Sequence, residues 1–295
     1  MVTETRLRMD MEAIFGGLTR VGPVTSRTGN AVAIHEADGP VEHYLHDERN
    51  AMVRGRHIDT RLIPKHFVHA LGSATSLRFL DAHGDAVQTI ETREETYGET
   101  WRALVASLAT DDHAFDPEPA PPPAPLHPEP DTVRDALAED WRGMVDVLQI
   151  GPILKRHGVR RDQALGLLGD MAWALPHHAL DTLLQDAVET GVPLMCFVGS
   201  RGCIQIHSGP LAETSRDGDT LHAAAPHFRL RVATHRLASL WAVRKPVRRP
   251  DAAGHVTSVE GFDAEGNLAL QFFGTRRPGH DERSEWRDLV EGLPR

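Results

Sequence analysis

Residues 194–209 read LMCFVGSRGCIQIHSG, and this stretch decides the fold. Two apolar runs, 194–198 and 203–207, flank Gly199-Ser200-Arg201-Gly202, a spacing that predicts a β-hairpin. In the second run Ile204 and Ile206 share one face and Cys203, Gln205 and His207 the other, following the alternation of a strand. A fainter copy stands upstream at 27–39, RTGNAVAIHEADG, where Thr28-Gly29-Asn30 turns into an apolar strand ending in His35.

Other landmarks recur in the same order. The hairpin 76–90, turning at Asp81-Ala82-His83-Gly84, is answered by one turning at Asp263-Ala264-Glu265-Gly266, and the segment around Trp101 by that around Trp286. The offsets are 172 residues for the histidines His35 and His207, 182 for the glycines Gly84 and Gly266, and 185 for the tryptophans. Three signals at slowly drifting offsets predict an internal duplication. Each half is antiparallel strands followed by a closing helix, which makes the fold class α+β, a tandem duplication of an antiparallel-sheet-plus-helix unit.

Between the halves, 111–130 holds eight of the chain's 20 prolines and reads as an extended, polyproline-like linker. The expected domains are thus 1–110, the linker 111–130, and a second repeat with its preceding helices, 131–295. Within the latter, Trp141, Val145 and Leu148 mark a helix from about residue 131 to 150, broken by Gly151-Pro152, with a short helix ending near His157. Helices are expected at 161–174 and 176–190, the last stopped by Gly191.

At 295 residues and 40% apolar content the chain can bury a substantial core. A net charge of -10 argues against a general nucleic-acid binder, although basic residues cluster at 244–249 and at Arg276-Arg277. Two cysteines, Cys196 and Cys203, give no disulfide framework and point to a reducing compartment. With no apolar leader or long apolar run, the expectation is a cytoplasmic protein without membrane insertion. Glycine-rich nucleotide loops, nucleophile elbows and H-E-x-x-H are absent. What remains, 18 histidines and arginines beside apolar strands, suits a flat, apolar, anionic ligand such as a porphyrin, whose propionates need cations and whose iron needs an axial donor.

Cys203-Ile204-Gln205-Ile206-His207-Ser208-Gly209-Pro210, Trp241-Ala242-Val243-Arg244-Lys245-Pro246, Phe262-Asp263-Ala264-Glu265-Gly266 and Phe272-Phe273-Gly274 resemble the HemS/ChuS family of cytoplasmic hemin-degrading or haem-trafficking proteins. Ala33-Ile34-His35-Glu36 and Ile58-Asp59-Thr60-Arg61-Leu62 fit the same family, so the resemblance runs from about residue 11 to the end. It implies two stacked β-sheets with helices beside them, and haem, as ligand or substrate, held between the second-half sheet and its preceding helices. It also implies partners: a haem transporter or downstream haem oxygenase, and a possible homodimer. Carried over residue by residue, the haem contacts are Arg61, Arg161, Lys245, Arg276 and Phe273. The N-terminus is expected to lack a helical subdomain that longer members have.

One departure stands out. Where the family has its iron-ligating histidine, this chain has Leu148, followed by Gly151-Pro152, and an aliphatic side chain cannot coordinate iron. Three readings stay open: haem bound through another donor, with His157, His35, His207, His177 and His178 as candidates; haem bound without coordination; or a haem-free, non-enzymatic scaffold. Haem-oxygenase-like turnover is expected to be impaired, because iron chemistry depends on its axial ligand.

Overall fold

The computed structural model describes residues 4–46, 51–111, 116–249, 252–276 and 282–295. Part of the expected polar segment 42–50 (residues 47–50), residues 112–115 of the proline-rich run and Arg277 of the basic pair lie outside them. Among the described residues, seven α-helices and two antiparallel nine-stranded sheets make an α+β fold, as expected.

The first sheet runs in the order Thr5–Leu7, His69–Gly72, Ser76–Leu80, Ala86–Thr92, Pro23–Gly29, Ala33–Pro40, Phe228–Ala233, Thr220–Ala225 and Glu213–Asp217. The second runs Ala172–Leu175, Ser239–Arg249, Ala252–Phe262, Leu268–Gly274, Leu194–Gly199, Cys203–Gly209, Asp59–Leu62, Ala51–Arg54 and His43–His46. The chain gathers into two compact units. One comprises Met1–Pro121, Phe197–His207 and Ala224–Arg231; the other comprises Pro122–Cys196, Ser208–Ala223 and Val232–Arg295. Two stretches of the second half therefore complete the first unit.

In that first unit a single apolar core joins strands of both sheets, Val24, Leu77, Phe79 and Ile90 from one and Val53, Leu62 and Cys203 from the other, with Ile14 and Phe15 of the helix Met11–Leu18. The 194–209 hairpin forms as its sequence predicts. Ser200 closes it, its Oγ accepting from the Gly202 and Cys203 amides, each at 3.1 Å, and donating to the Val87 carbonyl at 2.7 Å. Its fully buried positions include Cys203 and Gln205, so a polar side chain sits at the core. Gln205 is satisfied there by Ser26, Thr28 and His35, as burial of an amide requires.

The paired landmarks are built alike. Gly84 and Gly266 both take positive φ, 84° and 79°, in turns closed by their amides on Asp81 and Asp263. Trp101 and Trp286 are fully buried and donate to the carbonyls of Ser73 and Thr257.

Two sequence expectations are corrected. The helix expected to run from 131 to 150 ends at Arg142, and Ile150–His157 is a separate helix with Pro152 in its first turn, where no donor is needed. The reason is a capping box: Asp146 accepts from the Leu148 amide at 2.8 Å while Gln149 accepts from the Asp146 amide at 3.1 Å, starting a new turn at Val147–Gln149. The helix expected over 161–174 is only Arg161–Leu165. Gly166 caps it, Gly169–Met171 forms a separate 3-10 turn entered at φ 60°, and Ala172–Leu175 becomes a strand pairing with Ser239–Arg249.

Candidate functional site

In the second unit, the helices 134–165 cover one face of the sheet, burying Trp141, Ile150, Ile153 and Leu165 with Val243 and Phe262. Alternation along Ser239–Arg249 and Ala252–Phe262 sends Lys245 and Glu260 to this same face. Glu260 is fully buried, and five donor groups converge on its carboxylate. Arg161 gives Nε and Nη2, both at 2.8 Å; Lys245 gives Nζ at 2.5 Å; Ser258 gives Oγ at 2.9 Å; and Gln271 gives Nε2 at 3.0 Å. The Lys245 ammonium also lies 4.2 Å from the Phe273 ring centroid, a cation–π contact.

Charge explains the arrangement. Burial alone would push the Glu260 carboxyl up, but Arg161 and then Lys245 hold it well below the usual carboxylate range. Lys245 is pulled down by burial to about 8, against the opposing pull of Glu260. Two cations facing one carboxylate leave an excess of one positive charge. Arg161, with 22% of its side chain exposed, is the member that meets solvent, whereas Lys245 is 1% exposed. A further anion would thus be bound by Arg161, with Glu260 and Lys245 fixing its guanidinium from beneath.

The turn Val147–Gln149 lies against the strand that also carries Lys245. Val147 faces the core. Leu148 is 77% exposed and Val145 44%, the former the most exposed large apolar side chain among the described residues. Capping at both ends of the turn holds them there, with Gln149 Oε1 also accepting from the Val145 amide at 2.7 Å. An exposed apolar turn and a fixed guanidinium in one unit suit a ligand that is flat and greasy on its face and anionic at its edge.

Of the residues singled out by sequence, Arg161, Lys245 and Phe273 come together around Glu260, and Arg276 stands half-buried just past the strand that carries Phe273. His157 is in the same unit, but its Nε2 is 2.8 Å from Asp140, which Arg156 also engages at 2.7 Å. His177 and His178 line a separate cavity of about 460 Å³ with Asp181, Arg216 and His235. Its Arg216 is already paired with Asp181 at 2.6 and 2.7 Å.

Arg61, His35 and His207 belong to the other unit. Arg61 is exposed on its strand. His35 is fully buried, its Nδ1 2.9 Å from Gln205 Nε2, and burial first, with His207 adding to it, lowers it to about 3. His207 stacks on Phe228 at 3.9 Å between centroids. Among the described residues, no group of three or more His, Cys, Asp or Glu side chains is placed to hold a metal ion, and no helix is long and apolar enough to cross a membrane. Glu260 is the residue that sequence reading missed. The signal was available: period-two alternation puts it on the inward face with Ser258 and Phe262, where an acid needs cations.

An α+β protein of two units, with a buried carboxylate anchoring two cations on a sheet face of the second, is the class that this fold and site define. The family model of the haemin-degrading HemS/ChuX domain matches residues 2–108 and 158–293. The hemin transport protein HemS of Yersinia enterocolitica is 32% identical over 98% of this chain and 85% of its own length. Among solved structures, the haem-binding protein PhuS of Pseudomonas aeruginosa superposes with a TM-score of 0.93 at 33% identity, covering 98% of this chain and 86% of that one. ChuS, a haem oxygenase of Escherichia coli, superposes with a TM-score of 0.86 at 28% identity, covering 98% and 88%. The chain belongs to the HemS/ChuX family of haemin-degrading domains.

Proposed function

We propose that this chain binds haem at the Glu260 cluster of the second unit and serves haem trafficking or breakdown for iron use in the cytoplasm. The observation that carries the reading is the convergence of Arg161 and Lys245 on buried Glu260, with Phe273 against the lysine and with Leu148 and Val145 exposed in the same unit. It supplies what a propionate-bearing macrocycle needs, a guanidinium held in place and an apolar surface for the ring. PhuS and ChuS, which share the fold over nearly the whole chain, are described as haem-binding and as a haem oxygenase. Arg276 is the further candidate propionate partner in this unit.

The donor set fits the carboxylates of haem but not its iron. Leu148 has no lone pair to give, and His157 is engaged by Asp140. Haem oxygenase chemistry is therefore weak in this chain, and carriage between a transporter and a downstream oxygenase is the favoured role.

Titrating hemin into the purified protein tests the reading. The expected result is a narrowed Soret band that saturates at one equivalent, and a loss of affinity of about tenfold or more in Arg161→Ala, since a charge-assisted hydrogen bond contributes roughly 1.5–3 kcal/mol. Absorbance indistinguishable from free hemin at every ratio would refute it.

A further inference from the structure

We infer that this site holds its ligand through carboxylates and ring face alone, so that its ligand class is the dicarboxylic tetrapyrrole whether or not a metal sits at the centre. The inference rests on the haem reading above for the choice of site and adds that iron contributes no bond there.

Three observations carry it. The side chain exposed on the turn that packs on the Lys245 strand is Leu148, and this turn is held at both ends by Asp146 and Gln149 rather than loosely strung. Among the described residues of this unit, His157 is engaged by Asp140, His127 Nδ1 accepts from the Glu129 amide at 3.2 Å, His177, His178 and His235 line a separate cavity, and His255 is on the opposite strand face from Lys245, beside Arg287 and Arg244. Against this, the anion-binding side is fully built, with five donor groups on one buried carboxylate and one net positive charge left over. A site complete for carboxylates and lacking a ligand for the metal discriminates on the ring's edge and face, not on its centre.

The test is a pair of titrations of the full chain, one with hemin and one with metal-free protoporphyrin IX followed by porphyrin fluorescence. Both should saturate at one equivalent, with dissociation constants within about threefold of each other, and Arg161→Ala should weaken both by the same factor. Leu148→His, on an exposed position where folding is not at stake, should strengthen hemin about tenfold or more, whereas protoporphyrin, which gains no iron bond and loses apolar rim surface, should bind no tighter than to the parent. Hemin binding with protoporphyrin weaker by about thirtyfold or more would overturn the inference and leave the haem reading intact. Failure of both to bind would instead overturn the haem reading and the inference with it. A loss confined to hemin in Arg161→Ala would also overturn the inference.

Discussion

Replacing Glu260 by Gln removes the charge that Arg161 and Lys245 share while keeping the size of the side chain. If Lys245 stayed charged in its buried position, the broken pair would cost about 3–5 kcal/mol. A cheaper route exists, because Lys245 already sits at about 8 and can shed its proton. At pH 7 that costs on the order of 1 kcal/mol, at pH 6 about twice as much, and at pH 9 next to nothing, the lysine being neutral in the parent as well. The lost bidentate contact with Arg161 adds about 1.5 kcal/mol at any of these pH values, at the low end for a charge-assisted pair because Arg161 is partly exposed. The expected destabilisation is therefore about 4 kcal/mol at pH 6, 3 at pH 7 and 1.5 at pH 9. Urea unfolding followed by tryptophan fluorescence at these three pH values measures it. A difference between variant and parent that stays constant from pH 6 to 9 would refute the coupled cluster.

Other consequences are as direct. His35 is neutral in the fold at about 3 against an ordinary 6.5, so the unfolded chain takes up its proton first; stability is held above about pH 6.5 and falls toward pH 3. Between pH 6.5 and 4.5 the parent should lose about 2 kcal/mol more than His35→Gln in urea titrations, and coincident acid limbs would sink this account. Leu148→Ala should leave thermal stability within about 0.5 kcal/mol, its side chain being exposed, yet weaken hemin about threefold or more by removing rim surface. Equal hemin affinity would detach Leu148 from the site. Gly266→Ala forces a side chain onto positive φ and into Asp162 and Arg160, the residues flanking Arg161. It should cost about 1–3 kcal/mol in a melting experiment and weaken hemin alongside.

How far the residues disclosed all this varies with the range of the interaction. The hairpin around Ser200, the paired turns at Gly84 and Gly266 and the helix stop at Gly191 were legible, because each is a local matter of alternation and of backbone that only glycine enters cheaply. The division at 143–149 was missed because the apolar stripe Trp141, Val145 and Leu148 continues through it, while the capping box of Asp146 and Gln149 overrides the stripe. Ala172–Leu175 reads as helix by composition and is a strand because Ser239–Arg249 offers it an edge. Arg161, Lys245 and Phe273 were picked out by resemblance, and alternation alone marks Glu260 as inward-facing, but that it anchors both Arg161 and Lys245 emerges only once the strands and the helix are brought into register. That Phe197–His207 and Ala224–Arg231 complete the first unit is likewise invisible to any local pattern.

This last arrangement has a consequence for how the protein is made. On the ribosome, Ala33–Pro40 emerges early, but the strand that lies beside it, Phe228–Ala233, is translated about 190 residues later, and Asp59–Leu62 likewise waits for Cys203–Gly209. At about 5–20 residues per second the nascent first unit carries unsatisfied amide and carbonyl rows for roughly 10–40 s. Its maturation is therefore post-dated to the synthesis of its own second half, and nascent-chain aggregation is most acute in that interval.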